Sequence, residues 1–359
     1  MSVVAVSRTA SADPMDPALE RLAHSAANPS APCAIAGHYQ PGAAPCVFDD
    51  AAFKRIISEY GFAFAPLAMY PARTTGFGGF QFSVQGSFTS IDSGADYWKN
   101  GTQGPKDPNT GQYSVTNVSP DSWLQVYNLN VRKGLPFGFE LGVNIGYMVH
   151  TSMMSGGADV RWSLLEGFRT GILGILPDIS IGSGVRTVTG TSQFQLTIAS
   201  GDGMISKPIP IADSSILTPY IGYQFIRIFG DSGVIDPTPS TDALGYCNYQ
   251  GQKVPGGFAG DDPAKPPAGG YNGQPVCGDG TGRNGSPDDL NNSKVFQKTR
   301  ITRHRIIAGI SYRYEMILIG GQFITDLVDP GSSNSGAEAQ ALASTPRQTT
   351  LAVQVGAVF

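Results

Sequence analysis

The sequence predicts an all-β fold, and three observations lead to that prediction. Only 14% of the 359 residues are charged, against roughly 25% in an average soluble domain. Glycine and proline are abundant, with 46 and 26 residues, and both weaken helix interiors. From residue 77 onward, apolar and polar residues alternate in one segment after another, which is the period of a β-strand. A helical bundle is therefore excluded.

Charge and hydropathy exclude two further classes. A net charge of -4 gives no sign of the concentrated basic patch that nucleic-acid binding needs. The mean hydropathy is -0.08, and no uninterrupted apolar run approaches the roughly 18–20 residues of a membrane-spanning helix. A soluble sandwich, a propeller and a membrane barrel remain.

The first twelve residues resemble the end of an export signal. Ala10-Ser11-Ala12 has the small-x-small form of a secretory cleavage site. The apolar stretch before it, Val3 to Val6, is too short for the core of a signal. We interpret residues 1–12 as the remnant of a signal peptide, and the alternative is a chance similarity.

Residues 13–75 differ in composition from the rest and are predicted to form a periplasmic N-terminal segment. Four apolar residues recur at helical spacing between an Asp cap and a Gly stop: Phe53, Ile56, Ile57 and Tyr60. This pattern predicts one short amphipathic helix over 50–60. A helix this short needs a surface to pack on, so we expect the segment to pack under or into the domain that follows.

Ten segments of residues 76–359 are predicted to be strands. The alternation is clearest in 137–150, where one face carries Phe, Leu, Val, Ile and Tyr and the other carries mostly small or polar residues. The ten segments are 77–91, 122–133, 137–150, 155–165, 178–188, 192–200, 215–229, 300–314, 315–328 and 347–359.

The composition of the second face of these strands distinguishes between a soluble sandwich and a membrane barrel. It consists of Gly, Ser, Thr, Gln and Asn with few charges, whereas a soluble sheet usually presents Lys and Glu to water. In a transmembrane barrel, apolar residues face lipid and small polar residues face the lumen. Several segments also reach the roughly 9–11 residues that cross a bilayer. We therefore predict a transmembrane antiparallel up-and-down β-barrel of about ten strands, with a soluble sandwich as the alternative.

The lengths of the connections predict an orientation. If strand 77–91 runs outward, the three longest links, 92–121, 230–299 and 329–346, all fall on one side of the barrel. Outer-membrane barrels have long external loops and short periplasmic turns. We therefore expect 230–299 to be a long external loop.

The last strand ends on an aromatic residue. Leu351, Val353, Val355, Ala357 and Phe359 alternate with mostly polar or small residues. The pattern resembles the closing strand of bacterial outer-membrane barrels, whose C-terminal aromatic is read by the barrel-assembly machinery. The resemblance implies an assembly signal at Val355, Ala357 and Phe359, with Ala357 standing where an aromatic or bulky residue is usual.

Two further stretches carry a resemblance. Phe62 to Trp98 includes Pro-Ala-Arg-Thr-Thr-Gly-Phe-Gly-Gly-Phe before the first strand and Asp-Tyr-Trp in the first loop, and Ala158 to Gly167 reads Ala-Asp-Val-Arg-Trp-Ser-Leu-Leu-Glu-Gly. Both are similar to barrel proteins common in myxobacteria and their relatives, over most of 62–359. The resemblance implies the fold and an outer-membrane location, with membrane lipid and the assembly machinery as partners. It implies no functional residues.

The four cysteines form two sequence-local pairs, Cys33 with Cys46 and Cys247 with Cys277. No zinc-type spacing occurs. In an exported protein two disulfides are expected, each worth about 3–4 kcal/mol in the chain-entropy model. Four reduced cysteines are the alternative.

Eight charged residues are predicted to point into the lumen. They are Arg132, Glu140, Asp159, Arg161, Arg186, Arg303, Arg305 and Arg313. More Arg than carboxylate could make an open lumen favour anions. The other interpretation is that the charges pair in a network that closes a barrel of this size.

Neither catalysis nor metal binding is predicted. His150, Asp92 and Ser155 are expected near the outer rim, where an acid–base enzyme is conceivable, but no enzyme motif surrounds them. Asp261-Asp262 and residues 278–285 are rich in carboxylates and glycine without the spacing of a calcium loop. No cofactor is expected.

Two functional classes remain. The first is a narrow, porin-like channel for small solutes. The second is a closed barrel that serves as a surface scaffold, with loop 230–299 as a binding or adhesion platform for an external ligand. A hydrolase or transferase at the rim is a third alternative.

Overall fold

In a computed structural model, ten long antiparallel strands form the body of the protein. The structure describes residues 13–25, 28–32, 46–106, 116–167, 176–212, 214–236, 248–249, 275–276 and 294–359. The strands are β1 (Phe80–Ser90), β2 (Trp123–Gly134), β3 (Phe139–Met148), β4 (Met154–Leu165), β5 (Asp178–Thr189), β6 (Phe194–Ser206), β7 (Ser215–Ser232), β8 (Thr299–Tyr314), β9 (Ile317–Asp326) and β10 (Thr349–Val358). Each pairs with the next along the chain, and β10 pairs back onto β1. The ladder therefore closes without an edge, and the predicted ten-stranded barrel is confirmed.

Shorter elements surround the barrel. Among the described residues the helices are α1 (Asp50–Phe64), α2 (Asp96–Gly101) and α3 (Gly336–Leu342), with 3-10 turns at Leu19–Leu22, Pro136–Gly138 and Gly331–Ser333. Ala23–Ser25, Asn28–Pro32 and Cys46–Phe48 form a small sheet, Ile209–Ala212 pairs with the start of β7, and Asn248–Tyr249 pairs with Pro275–Val276. No helix of the described chain is both long and apolar enough to cross a membrane.

The barrel strands expose their apolar residues and bury their polar ones. On β3, Leu141, Val143 and Ile145 are about half exposed, whereas Glu140 and Asn144 are buried. A water-soluble fold would reverse this arrangement. The outer wall is therefore a hydrocarbon-facing surface, and the protein is a membrane-spanning β-barrel rather than a soluble sandwich.

The two ends of the barrel differ. At the turn end, defined by the connections 135–138, 166–177, 207–214 and 315–316, Phe359 and Phe80 exchange two backbone hydrogen bonds. At the loop end lie the long connections 91–122, 233–298 and 327–348. The long links thus fall on one side, as expected from the sequence. Most of the predicted external loop 230–299 lies outside the described residues.

Aromatic residues flank the apolar wall at both ends. Phe139 and Trp162 stack at the turn end with ring centroids 5.5 Å apart, and Tyr314 lies at the same end. Trp123 and Tyr147 lie at the loop end. All five side chains are partly exposed, as in the interfacial girdles of membrane barrels.

Helix α1 lies inside the barrel. Its N-cap Asp49 accepts a hydrogen bond from a backbone amide of the first turn at 2.9 Å. The sequence predicted a stop at Gly61, but the helix continues to Phe64. Gly61 instead allows close packing, because a Cβ there would lie 2.6 Å from Ile228 on the wall. From its third residue onward, every residue of the helix except Arg55 is buried.

The N-terminal residues cover the loop end. The amide of Met15 donates to the carbonyl of His150 and that of Ala18 to the carbonyl of Gly101, each at 2.9 Å. The sequence analysis expected residues 13–75 to pack under or into the barrel on its periplasmic side. The structure places the described part of this segment at the loop end and within the lumen, because a ten-stranded barrel is wide enough to enclose α1. Its periplasmic location stays a prediction.

The outer wall can be tested by replacing Val143 with Arg. Val143 lies halfway along β3 and is 58% exposed, and Val118, 72% exposed, lies in the connection 91–122. An Arg at the bilayer midplane costs about 2–4 kcal/mol, so V143R is expected to lower the free energy of unfolding by that amount. V118R should leave it unchanged because water solvates the new charge. Urea titration of the barrel in phospholipid vesicles measures both, and equal small effects would contradict the membrane location.

Candidate functional site in the plugged lumen

The chain passes through the lumen from the loop end to the turn end between α1 and β1. Side chains of the wall form hydrogen bonds with this part of the chain at successive positions from Ser58 to Thr75. The pairs are Arg303 with Ser58, Arg305 with Phe62 and Pro66, Gln322 with Leu67, Asp202 with Tyr70, Arg161 with Pro71, and Glu140 with Thr75. We call residues 50–75, which comprise α1 and this extended stretch, the plug.

Arg303 anchors the plug near the loop end. Its buried guanidinium pairs with Asp326, with Nε 3.1 Å from Oδ1. It also donates to Gln348 of the wall, and to the hydroxyl of Ser58 of the plug at 3.1 Å. A buried charge is tolerated only when it is paired and hydrogen-bonded. The network of β8, β9 and the residue preceding β10 therefore also holds α1.

Arg305 binds the end of α1 through backbone carbonyls. Its Nη1 donates to the carbonyl of Phe62 at 3.1 Å and its Nη2 to the carbonyl of Pro66 at 2.7 Å. Nε donates to Gln224 on β7 at 3.0 Å. The last carbonyls of a helix lack partners within the helix and carry partial negative charge. A cation of the wall thus satisfies the C-terminus of α1.

Tyr70 lies between two arginines in the middle of the extended stretch. Arg132 and Arg161 place their guanidinium carbons 4.0 and 4.2 Å from the centre of its ring. Its hydroxyl donates to the carboxylate of Asp202 at 3.1 Å. The wall thus holds this residue of the plug at both its ring and its hydroxyl group.

Glu140 joins the plug to the same cluster near the turn end. It accepts from Arg161 at 2.7 Å and from the amide of Thr75 at 2.9 Å, and it lies 3.5 Å from Arg132. Two arginines, one glutamate and one segment of the plug thus share one buried site. Removing any of them would leave another buried charge underpartnered.

The eight predicted lumen charges fall into two groups. Seven lie inside the barrel, buried or nearly so: Arg132, Glu140, Asp159, Arg161, Arg186, Arg303 and Arg305. Arg313 lies on the same row of β8 but near the turn end, where it lines a cavity with Tyr70 and Gln81. Its side chain is exposed there, and its Nε donates to the carbonyl of Glu315 at 2.9 Å. The seven interior charges all take part in ion pairs or hydrogen bonds with the wall or the plug.

The sequence analysis missed two interior carboxylates, and it missed the contact of Tyr70 with Arg132 and Arg161. Asp202 lies within Gly201-Asp202-Gly203, just beyond the predicted strand 192–200, and glycines beside an aspartate are typical of a turn. Strand β6 instead continues to Ser206, because β5 and β7 both pair with this stretch, with Gly182 and Gln224 opposite Asp202. Asp326, at the end of β9, was also not identified. The inward position of each carboxylate in its strand was the only signal that could have found them.

Glu59 connects the plug to helix α2. Its carboxylate accepts from the hydroxyl of Tyr97 at 2.5 Å and from the indole nitrogen of Trp98 at 3.0 Å. Burial raises the pKa of Glu59, although these hydrogen bonds oppose the shift. The plug and the covering of the loop end thus share a titratable contact.

The residues considered for catalysis do not come together. Nδ1 of His150 lies 2.6 Å from Asp121, and this histidine is half exposed at the loop end. Ser155 is buried and faces inward, and the amide of Asp92 donates to Glu59 at 3.3 Å. Over the described chain, no three His, Cys, Asp or Glu side chains cluster closely enough to hold a metal ion.

The predicted disulfides and the carboxylate-rich loop cannot be placed. Cys33, Cys247 and Cys277 lie outside the described residues, as does the side chain of Cys46. The same holds for Asp261, Asp262 and residues 278–285. Both disulfides stay predictions.

Comparison with known proteins gives structural likeness only. No protein-family model matches the chain, and no curated protein matches its sequence. Ail, the attachment invasion locus protein of Yersinia pestis, is 9% identical over 79% of this chain and 99% of its own, with a TM-score of 0.25. An outer-membrane channel of Pseudomonas putida F1 is 10% identical over 82% of this chain and 99% of its own, with a TM-score of 0.28.

A third structure is similar at the same level. The N-terminal β-barrel domain of OprF from Pseudomonas aeruginosa is 8% identical over 79% of this chain and 99% of its own, with a TM-score of 0.21. All three are bacterial outer-membrane barrels or parts of them. The barrel assignment itself depends on the closed ladder and the apolar outer wall.

The contact at Glu59 predicts a pH dependence. A carboxyl group whose pKa is raised by folding stabilises the folded state fully below its ordinary value of 4.5, and this contribution is lost as the pH rises through the raised pKa. Amides of α2 should therefore exchange hydrogen for deuterium faster in the wild type as the pH rises, after correction for intrinsic exchange. E59Q should remove this pH dependence. If the exchange rates of α2 in the wild type and in E59Q changed with pH in the same way, the prediction would be wrong.

Proposed function

We propose that the protein is a bacterial outer-membrane barrel that its own N-terminal segment keeps closed, and that it serves as a surface scaffold. The observation that carries the proposal is the plug, whose contacts run through the lumen from Ser58 to Thr75. Under this proposal the loop end faces the cell exterior and presents the binding surface. The resemblance to barrels of myxobacteria remains part of the proposal, as does the interpretation of residues 1–12 as an export-signal segment.

The burial inside the lumen supports a closed barrel. Arg303, Arg305 and Gln224 have no exposed surface, and neither do Ile56 and Ile57 of α1. An open pore would leave such wall residues in contact with water. The loop end is also covered, since Trp98 of α2 is fully buried.

The exposure of the C-terminal strand supports recognition by the barrel-assembly machinery. Val355 and Phe359 are exposed on the outer wall, and Ala357 lies between them with intermediate exposure. The strand pairs with β1 at the closing seam. We propose that these three residues form the assembly signal.

One observation favours a channel as the second candidate. The inner wall on β1 and β10 is lined by neutral polar residues. Within the part of the chain that the structure describes, Nε2 of Gln81, Oγ of Ser83 and Nε2 of Gln354 are buried without a hydrogen-bond partner. Such a wall suits water, so displacement of the plug would leave a hydrophilic passage.

Planar-bilayer recordings test the closed barrel. The full chain is expected to be electrically silent. R305A removes two bonds to the plug, each worth roughly 1.5–3 kcal/mol because the donor is charged, and should raise the open probability by roughly two orders of magnitude or more. R347A, at an exposed cation of the loop end, is the control and should stay silent. Steady conductance of the wild type would reject the scaffold in favour of the channel.

Epitope insertion tests the orientation. A tag inserted within 107–115, in a loop-end connection, is expected to bind antibody on intact cells. A tag inserted after Leu135, at the turn end, should bind only after the outer membrane is permeabilised. Heat-modifiable gel migration of both proteins controls for barrel folding. The reverse labelling pattern would contradict the proposed surface display.

A further inference from the structure

The outer wall carries a cationic cleft near the loop end. The cleft measures about 650 Å³ and is lined by Arg227 of β7, Arg300 and Thr302 of β8 and Lys298 just before β8. A turn and the start of α3 form its other side, with Ser332, Ser333, Asn334, Ser335 and Glu338. We call these residues the outer-wall cleft.

The cleft begins where the hydrocarbon-facing surface ends. Thr302 and Arg300 continue the outward-facing row of β8 that includes Ile306 and His304. His304 lies ten residue steps from Tyr314 along β8. At about 3.3 Å per step and a strand tilt of about 40°, this distance spans about 25 Å along the membrane normal. This is the height of the apolar band of such barrels. The cations therefore lie at the level of the lipid headgroups.

The protein neutralises the charge of the cleft only in part. Lys298 pairs with Asp231 at 2.7 Å, and Arg227 donates to the hydroxyl of Thr302 at 3.1 Å. Among the described residues, no carboxylate forms an ion pair with Arg227 or Arg300. The lining carboxylate, Glu338, lies 4.0 Å from Lys54 of α1. Positive charge at a membrane interface attracts anionic headgroups.

The geometry of the cleft is fixed by hydrogen bonds. The side chain of Asn334 accepts from the amide of Thr302 at 2.8 Å and donates to its carbonyl at 2.9 Å. It also donates to the carbonyl of Pro330 at 2.7 Å. The serine-rich turn is thus attached to the edge of the cationic strand face. Its hydroxyls supply neutral donors beside the two arginines, a combination that suits phosphate with adjoining glycerol or sugar oxygens.

We propose that the outer-wall cleft binds the phosphorylated headgroup of a lipid in the surrounding leaflet. Arg227 and Arg300 contact the phosphate, and the serine hydroxyls contact the neighbouring oxygens of the headgroup. The lipid chains then lie along the apolar surface below, beside Phe225 and Ile306. This function belongs to the outer wall and is independent of whether the lumen is open.

Native mass spectrometry of the full chain in detergent micelles tests the proposal. The micelles contain phosphatidic acid as the probe, or phosphatidylcholine as the comparison without net charge. The wild type is expected to retain phosphatidic acid in preference, and R227Q/R300Q should bind it about tenfold more weakly. K133Q/R347Q removes two exposed cations elsewhere and should bind it as the wild type does.

Three results would overturn the proposal. R227Q/R300Q could retain as much phosphatidic acid as the wild type. K133Q/R347Q could lose as much as R227Q/R300Q, which would indicate unspecific attraction. Inorganic phosphate in modest excess could displace the lipid, which would assign the cleft to a soluble phosphate. Heat-modifiable migration verifies folding. Should the double variant not fold, R300Q, at an exposed side chain, is expected to show a smaller loss of the same kind.

Discussion

The structure depends on the closure of one hydrogen-bond ladder, between β10 and β1. Within a bilayer no water is available for unpaired backbone groups, so a sheet is stable there only without edges. Closure divides every strand residue into two environments. Apolar side chains such as Val143 face lipid, while polar ones such as Asn144 face the interior. The low charge content of the sequence follows from the first environment, and the concentration of arginines on inward positions belongs to the second.

Closure also creates an interior that must be filled. A polar wall is stable next to water or next to a partner that satisfies its donors and acceptors. In this protein the partner is the chain itself. Arg305 and Gln322 bind carbonyls of the plug, and Asp202 binds the hydroxyl of Tyr70. The same features that would suit a water-filled channel thus hold a plug, which is why the inner wall alone does not distinguish channel from scaffold.

Several elements show where sequence reasoning succeeds. The ten strands were predictable because lipid on one side and a polar interior on the other impose a strict period of two, visible even in single segments such as 137–150. The helix of the plug was also predictable from its spacing. Its end was not, since Gly61 stops no helix and instead accommodates Ile228. Asp202 was hidden by flanking glycines that are typical of turns, although pairing with both neighbours makes them part of β6.

The sequence by itself determined the all-β fold, the strand number and which residues face lipid, because these properties follow from local periodicity. Only the tertiary structure decided that residues 50–75 pass through the lumen, that Tyr70 lies between Arg132 and Arg161, and that Arg227 and Arg300 line one cleft with a serine-rich turn. The physical reason is that each of these sites joins segments far apart in the chain. A local sequence pattern does not show which distant residue pairs with a buried charge or lies beside an exposed one.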